Sequence, residues 1–193
     1  MKKLITILPV LLVCGLFLSA CATPPTSEMN KATDAVTRAE NDADAVTYAN
    51  DTLVRARDAL TKMQSEADAK RYDSAKSYAA EAVTNAEKAI ADGKTGAARA
   101  KEEASNLVNS LSGPLADTTN ALNAARDVKS IKLDFDAVSK DLDSAHQSYS
   151  DAQQNLSADN YKDATNKAQM TRSLLSSINT EINDATLAAS RKK

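Results

Sequence analysis

The side chain with the clearest chemistry is a cysteine thiol. Two cysteines occur, Cys14 and Cys21. Cys14 lies inside an apolar run from Leu4 to Leu18 that is headed by Met1-Lys2-Lys3, and Cys21 stands just beyond the run, after Leu18-Ser19-Ala20. A branched apolar residue three positions before the thiol, with small residues between, suits a peptidase site. A thiol exposed by that cleavage suits attachment of diacylglycerol. The run is short for a spanning helix, which needs about 20 apolar residues, and Pro9 interrupts it. The expectation is a signal peptide over residues 1–20, cut after Leu18-Ser19-Ala20, with Cys21 lipidated. Cys21 is then the only remaining cysteine, so no internal disulfide forms. Two or three acyl chains give stable attachment where one binds marginally.

No other residue constellation reaches the same specificity. His146 is the single histidine, and one His without a Cys or second His nearby does not make a zinc site. Asp134, Asp136, Asp141 and Asp143 lack the glycine a calcium loop needs and lie in a helical pattern. Lys94-Thr95-Gly96 matches one box of the penicillin-binding enzymes, but the Ser-x-x-Lys partner occurs only at Ser190–Lys193. The expectation is therefore no catalytic residue, no metal, no cofactor and no enzyme. The net charge is −2 and becomes −4 once Lys2 and Lys3 leave with the leader. That balance lacks the basic face nucleic acid requires and gives no pull toward anionic lipid.

These residues must be positioned by helices. Alanine makes up roughly a fifth of the chain, far above ordinary usage, while Gly and Pro number 4 each and Trp is absent. Such composition favours long helices over strands. Small and apolar residues recur at alternating steps of three and four, the spacing of a helical seam. One stripe is Ala39, Ala43, Val46, Ala49, Leu53, Ala56, Leu60, Met63, Ala67. A second is Tyr72, Ala75, Ala79, Ala82, Ala86, Ala89. The later stripes run Phe135 to Leu156 and Tyr161 to Ala189. Gly93 and Gly96 predict a bend or break, Ser112-Gly113-Pro114 a stop, and Asp127 to Asp134 a further break. Asp34–Arg38, Asp58–Lys62, Glu66–Lys70, Asp136–Lys140 and Asp163–Lys167 are expected as acid-before-base pairs on exposed faces.

An offset of 89 residues pairs Leu53 with Leu142, Ala56 with Ala145, Tyr72 with Tyr161 and Ala79 with Ala168. The repeating element is a helix, a short polar turn, then Tyr-x-x-Ala-x-x-x-Ala. Each tyrosine is expected to lay its ring across the turn with its hydroxyl in water. The fold class is all-α: long antiparallel helical hairpins in two repeated units, forming an elongated alanine-rich bundle or coiled coil. The expected divisions are 1–20, a lipidated flexible tether over 21–29, a first hairpin over 30–112 and a second over 113–193.

The lipobox-like junction, the alanine-rich hairpins and the Tyr-x-x-Ala-x-x-x-Ala turns resemble small helical bacterial envelope lipoproteins grouped as a domain of unknown function. The likeness is best over residues 30–92 and weaker over 135–189. It implies a lipid-anchored helical protein of the envelope and assigns no activity. With Ala22 after Cys21, it implies the periplasmic face of the outer membrane. The expected work is structural or adaptor-like, through contact with an envelope protein or a second copy of the chain. The alanine seam and the terminal Arg191-Lys192-Lys193 are also similar to the murein lipoprotein, which implies a tether to peptidoglycan through Lys193. A carrier or chaperone of an apolar ligand is the third reading, and it requires a cavity between hairpins.

Overall fold

The computed structural model describes residues 23–191. Cys21, with Leu18, Ser19 and Ala20, and Lys193 lie outside the described residues. Seven helices and no strand occur among the described residues: α1 Thr26–Glu40, α2 Ala43–Tyr48, α3 Asn50–Asp68, α4 Tyr72–Asn109, α5 Ser112–Arg126, α6 Phe135–Ser157 and α7 Tyr161–Ser190. The chain is all-α, and its helices pack as an elongated bundle.

Two antiparallel hairpins carry the fold. In α3–α4, Thr52 meets Asp92 and Lys62 lies over the Tyr78 ring. In α6–α7, Lys167 Nζ donates to Asp151 at 2.8 Å. Both hairpin turns have the same backbone. Lys70 and Asp159, 89 residues apart, have φ of 58° and 60°. The next N–H donates five residues back in each: Arg71 to Glu66 at 2.8 Å, Asn160 to Asn155 at 2.9 Å. This is the hydrogen-bond pattern that closes a helix through a left-handed residue. The repeat read from the sequence is thus a repeat of turn geometry. Left-handed φ is uncomfortable for a lysine, and the Lys70 side chain makes no hydrogen bond among the described residues. Lys70→Gly is expected to raise stability by about 0.5–1 kcal/mol, read as a higher urea midpoint. Asp159 differs, because its carboxylate accepts a hydrogen bond from Tyr161.

A third helix completes each unit. α1 and α2 run parallel to α4: Ala35 lies near Val83, Asp44 and Ala45 at Gly93, Tyr48 at Gly96. The last turns of α4 and then α5 run parallel to α7: Ala104 and Val108 of α4 cluster with Ala164 and Ala168, and Asn179 Nδ2 donates to Thr118 Oγ1 of α5 at 2.8 Å. Those pairings keep a constant offset across Ser110 and Leu111, so α5 prolongs α4. Ser112-Gly113-Pro114 interrupts the helix without reversing it, and Pro114 sits in the first turn of α5, where its missing N–H costs nothing. At 1.5 Å per residue, Tyr72 to Arg126 spans about 80 Å. α1 starts at one end of this rod and α7 finishes at the other.

The two units are filled differently. In the first core every buried residue except Val36, Leu53 and Met63 is an alanine. Alanine adds little area per residue, so this unit depends on many close backbone approaches. The second core holds Leu115, Leu122, Leu142, Leu175, Ile178 and Ile182.

Several expectations are corrected. α4 runs unbroken through Gly93 and Gly96. The glycines face α2: an added Cβ at Gly93 would lie 2.5 Å from the Ala45 nitrogen, and one at Gly96 would lie 2.6 Å from the Tyr48 Cβ. They serve close approach instead of bending. The first stripe loses register between α1 and α3. The chain breaks at Asn41 and Asp42, Asp42 caps α2 by accepting from the Ala45 N–H at 2.8 Å, and Ala45 is buried where Ala43 and Val46 are exposed. None of the five expected acid–base pairs is among the four ion pairs of the described residues. Glu66 turns to Arg71 across the turn, and Lys167 reaches α6. The break over 127–134 is present as the α5–α6 loop.

Candidate functional site

The two units meet near the middle of the α4–α5 rod, around Gly96 to Ala104, and two tyrosines make the joint. Tyr48 ends α2 and lies against Gly96. Tyr161 opens α7 and clusters with Ala104 and Ala164, with Ala100, Leu156 and Tyr48 packed alongside. Lys162 Nζ sits 5.1 Å above the Tyr48 ring and donates to the Thr47 carbonyl at 2.8 Å. Lys101 Nζ lies 6.0 Å from the Tyr161 ring. Each ammonium thus has a π-face beneath it, an attraction of about 0.5–1 kcal/mol where water has access.

The Tyr161 hydroxyl is not simply wet. It donates to Asp159 Oδ1 at 2.5 Å. That bond holds the proton, burial adds to it, and together with the Asp159 charge they push the phenol up to about 12. Tyr48 is also raised, first by burial and then by Asp44. Both phenols are neutral donors near neutral pH, not nucleophiles. Tyr72, the repeat partner of Tyr161, is half-buried and has no such carboxylate, because Lys70 stands where Asp159 does. In a spectrophotometric titration, one of the five tyrosines is expected to ionise near pH 12, and Tyr161→Phe is expected to remove that late step. A folded pKa raised above the unfolded value near 10 makes this bond's stabilisation complete below about pH 10 and lost as pH rises through about 12.

The remaining shifted groups are surface ion pairs. A hydrogen bond from Lys88 lowers Asp92, and one from Lys167 lowers Asp151. His146 is exposed, with Nε2 3.4 Å from Thr119 Oγ1. Asp134 caps α6 by accepting from the Ala137 N–H at 3.1 Å. Lys94-Thr95-Gly96 is ordinary helix within α4. Among the described residues no group of three metal-ligating side chains converges, and no helix is long and apolar enough to cross a membrane.

The larger hollows are grooves open to solvent. One of about 680 Å³ runs between α1 and α4, lined by Lys31, Asp34, Arg38 and Glu87 among others. Another of about 450 Å³ lies at the joint, beside Tyr48, Arg99, Glu103 and Lys162. Charged side chains rim both, while Ala35 and Val83 in the first and Tyr48, Ala100 and Tyr161 in the second give each a largely apolar lining. Tyr48 and Lys162 were not evident as a pair from sequence. The available signal was the scarcity of tyrosine together with Gly93 and Gly96 three apart on one helix face.

No curated protein and no solved structure matches the chain. Residues 27–105, comprising α1, α2, α3 and the greater part of α4, match the family model described as a domain of unknown function (DUF4398); of the joint, the match takes in Tyr48 and the α4 side chains but not Tyr161 or Lys162.

Proposed function

We propose that the chain is a membrane-anchored structural or adaptor lipoprotein of the bacterial cell envelope that works by helix-mediated protein contact. The observation that carries this reading is Leu18-Ser19-Ala20-Cys21 directly behind an apolar run. The body supports it: α1 begins five residues after Cys21, within about 17 Å of any acyl group even at full extension. The rest of the rod then projects from the lipid surface and offers its faces along about 80 Å. Ala22 after Cys21 favours the periplasmic face of the outer membrane. Metabolic labelling with an alkynyl palmitate tests the anchor, with label expected on the wild type and lost in Cys21→Ser. Photocrosslinking in intact cells from exposed positions on α1, α3 and α7 tests the contact role. Discrete adducts with an envelope protein or a second copy support it, and monomer alone from every position overturns it.

The opposed ends of the rod favour a second reading, a tether to peptidoglycan through Lys193. Lysozyme-digested sacculi carrying a Lys193-linked muropeptide would support it, and sacculi free of that species would remove it.

A further inference from the structure

The groove between α1 and α4 carries the complement of its own charges. Ala35 and Val83 form its apolar floor, and Lys31, Asp34, Arg38 and Glu87 stand on its rim. All four charged side chains are exposed, and none takes part in the ion pairs among the described residues. The two helices are parallel and in one register. Ala35 lies near Val83, Ala45 at Gly93 and Tyr48 at Gly96, each pair 48 residues apart. An α1 residue therefore stands level with the α4 residue 48 positions later. Arg38 comes within one residue of the height of Glu87. Glu28 is level with Lys76, and both are exposed. These two lie seven residues before Ala35 and Val83, two turns back on the same helix faces. At each height the two walls thus bear opposite signs.

We infer that this groove is an interface between two copies of the chain, related by a two-fold axis that runs along it. Such an axis keeps height and exchanges the walls, so α1 of each copy lies on α4 of the other. Arg38 then meets the partner's Glu87, Glu28 meets the partner's Lys76, and Ala35 covers the partner's Val83. Every contact occurs twice. An antiparallel pair about the midpoint of the groove, between Asp34 and Ala35, would set Lys31 against the partner's Arg38, two like charges. The charges therefore select the parallel pair. The seam from Glu28 to Arg38 is about 15 Å long, well short of a standard interface, so the pair is a transient one. The pairing rests on the contact reading above and names its partner. Two copies held through Cys21 on one membrane stand parallel, and confinement to that surface raises the effective concentration of a weak pair.

The test is photocrosslinking of the full chain in intact cells from a benzophenone amino acid at Thr37, an exposed residue of the groove. An adduct of twice the chain's mass is expected. Arg38→Glu turns two attractions into two repulsions and is expected to reduce that adduct at least about fivefold. Glu87→Arg is expected to do the same. The two changes together are expected to restore it, because the pairs form again with their signs exchanged. Both positions are exposed, and an unchanged thermal midpoint shows that each variant is folded. A self-adduct indifferent to Arg38→Glu overturns the pairing, as does a double variant no better than the single ones. An adduct at Thr37 with a different protein also overturns it, because that protein is then the occupant. The contact reading fails separately. Monomer alone from every position removes both, whereas adducts with another protein from α3 or α7 and none at Thr37 remove the pair alone.

Discussion

Gly93→Ala is expected to lower stability by about 1–3 kcal/mol, although the same change in an open helix raises it by up to about 1 kcal/mol. The two effects have opposite signs, so the sign of the result decides between them. Gly93 lies within α4, where alanine is the better helix former. Its Cβ, however, would stand 2.5 Å from the Ala45 nitrogen and 2.7 Å from the Ala45 Cα and the Asp44 carbonyl carbon. These are backbone atoms of α2 and no rotamer change moves them, so α2 must lift away from α4. α2 is only six residues long, and lifting it exposes Ala45 and disturbs Tyr48 at the joint. Gly113→Ala is the internal comparison, because apart from its chain neighbours nothing lies within 4 Å of its added Cβ. That variant is expected to lose less stability than Gly93→Ala, its cost being only that of a helical residue before Pro114. Urea unfolding with unchanged m-values measures both. A more stable Gly93→Ala would show that α2 is not seated on α4.

Ile178→Ala is expected to cost about 3 kcal/mol, within the range for deleting a buried branched side chain. Ile178 is fully buried in the second core, among Leu175, Ile182, Val138 and Leu142. The loss has a location as well as a size. Backbone amides of α5, α6 and the second half of α7 are expected to exchange faster with deuterium, while α1 and α3 keep their protection, because the units share only α4 and the tyrosine joint. A loss below about 1 kcal/mol, or an exchange increase spread evenly over both units, would contradict this division. The first unit is sensitive to added atoms and the second to removed ones. The contrast follows from one core being alanine and the other leucine and isoleucine.

The stripes show how much of this was legible beforehand. Where one helix runs uninterrupted, spacing identifies the buried face. Tyr161, Ala164, Ala168, Thr171, Leu175, Ile178, Ile182 and Ala189 are all buried as expected, with Ala185 half-buried. Thr171 is accommodated because its hydroxyl donates to the Lys167 carbonyl at 3.0 Å. Spacing fails between Asn41 and Ala49, because no glycine or proline marks that break. An alanine-rich seam continues in sequence even where the helix does not. Glycine misleads for the complementary reason. Its helix cost is a local property, whereas the benefit of bringing Asp44, Ala45 and Tyr48 close belongs to the tertiary structure. Three of the four ion pairs are cross-turn or cross-helix and the fourth, Lys88–Asp92, sets base before acid within α4, which is unsurprising for contacts worth a few tenths of a kcal/mol. The candidate joint was half visible: Tyr161 was marked by the repeat, while Tyr48 and Lys162 come together only across the two units. Cys21, the residue with the clearest chemistry, lies outside the described residues and rests on its sequence alone.

The central claim is that α5 prolongs α4, so that two units stand end to end and α1 and α7 terminate at opposite ends. Single-molecule energy transfer between dyes at Ser27→Cys and Ser190→Cys, both exposed positions, in a chain with Cys14 and Cys21 replaced by serine, tests it most directly. The pairing of Ala45 with Gly93 and of Asn179 with Thr118 places the two labelled positions about 80 Å apart along the rod. A narrow distribution near that distance is the expected result. A separation of about 40 Å or less, the length of a single hairpin of this size, would mean that the second unit folds back on the first and would contradict the account.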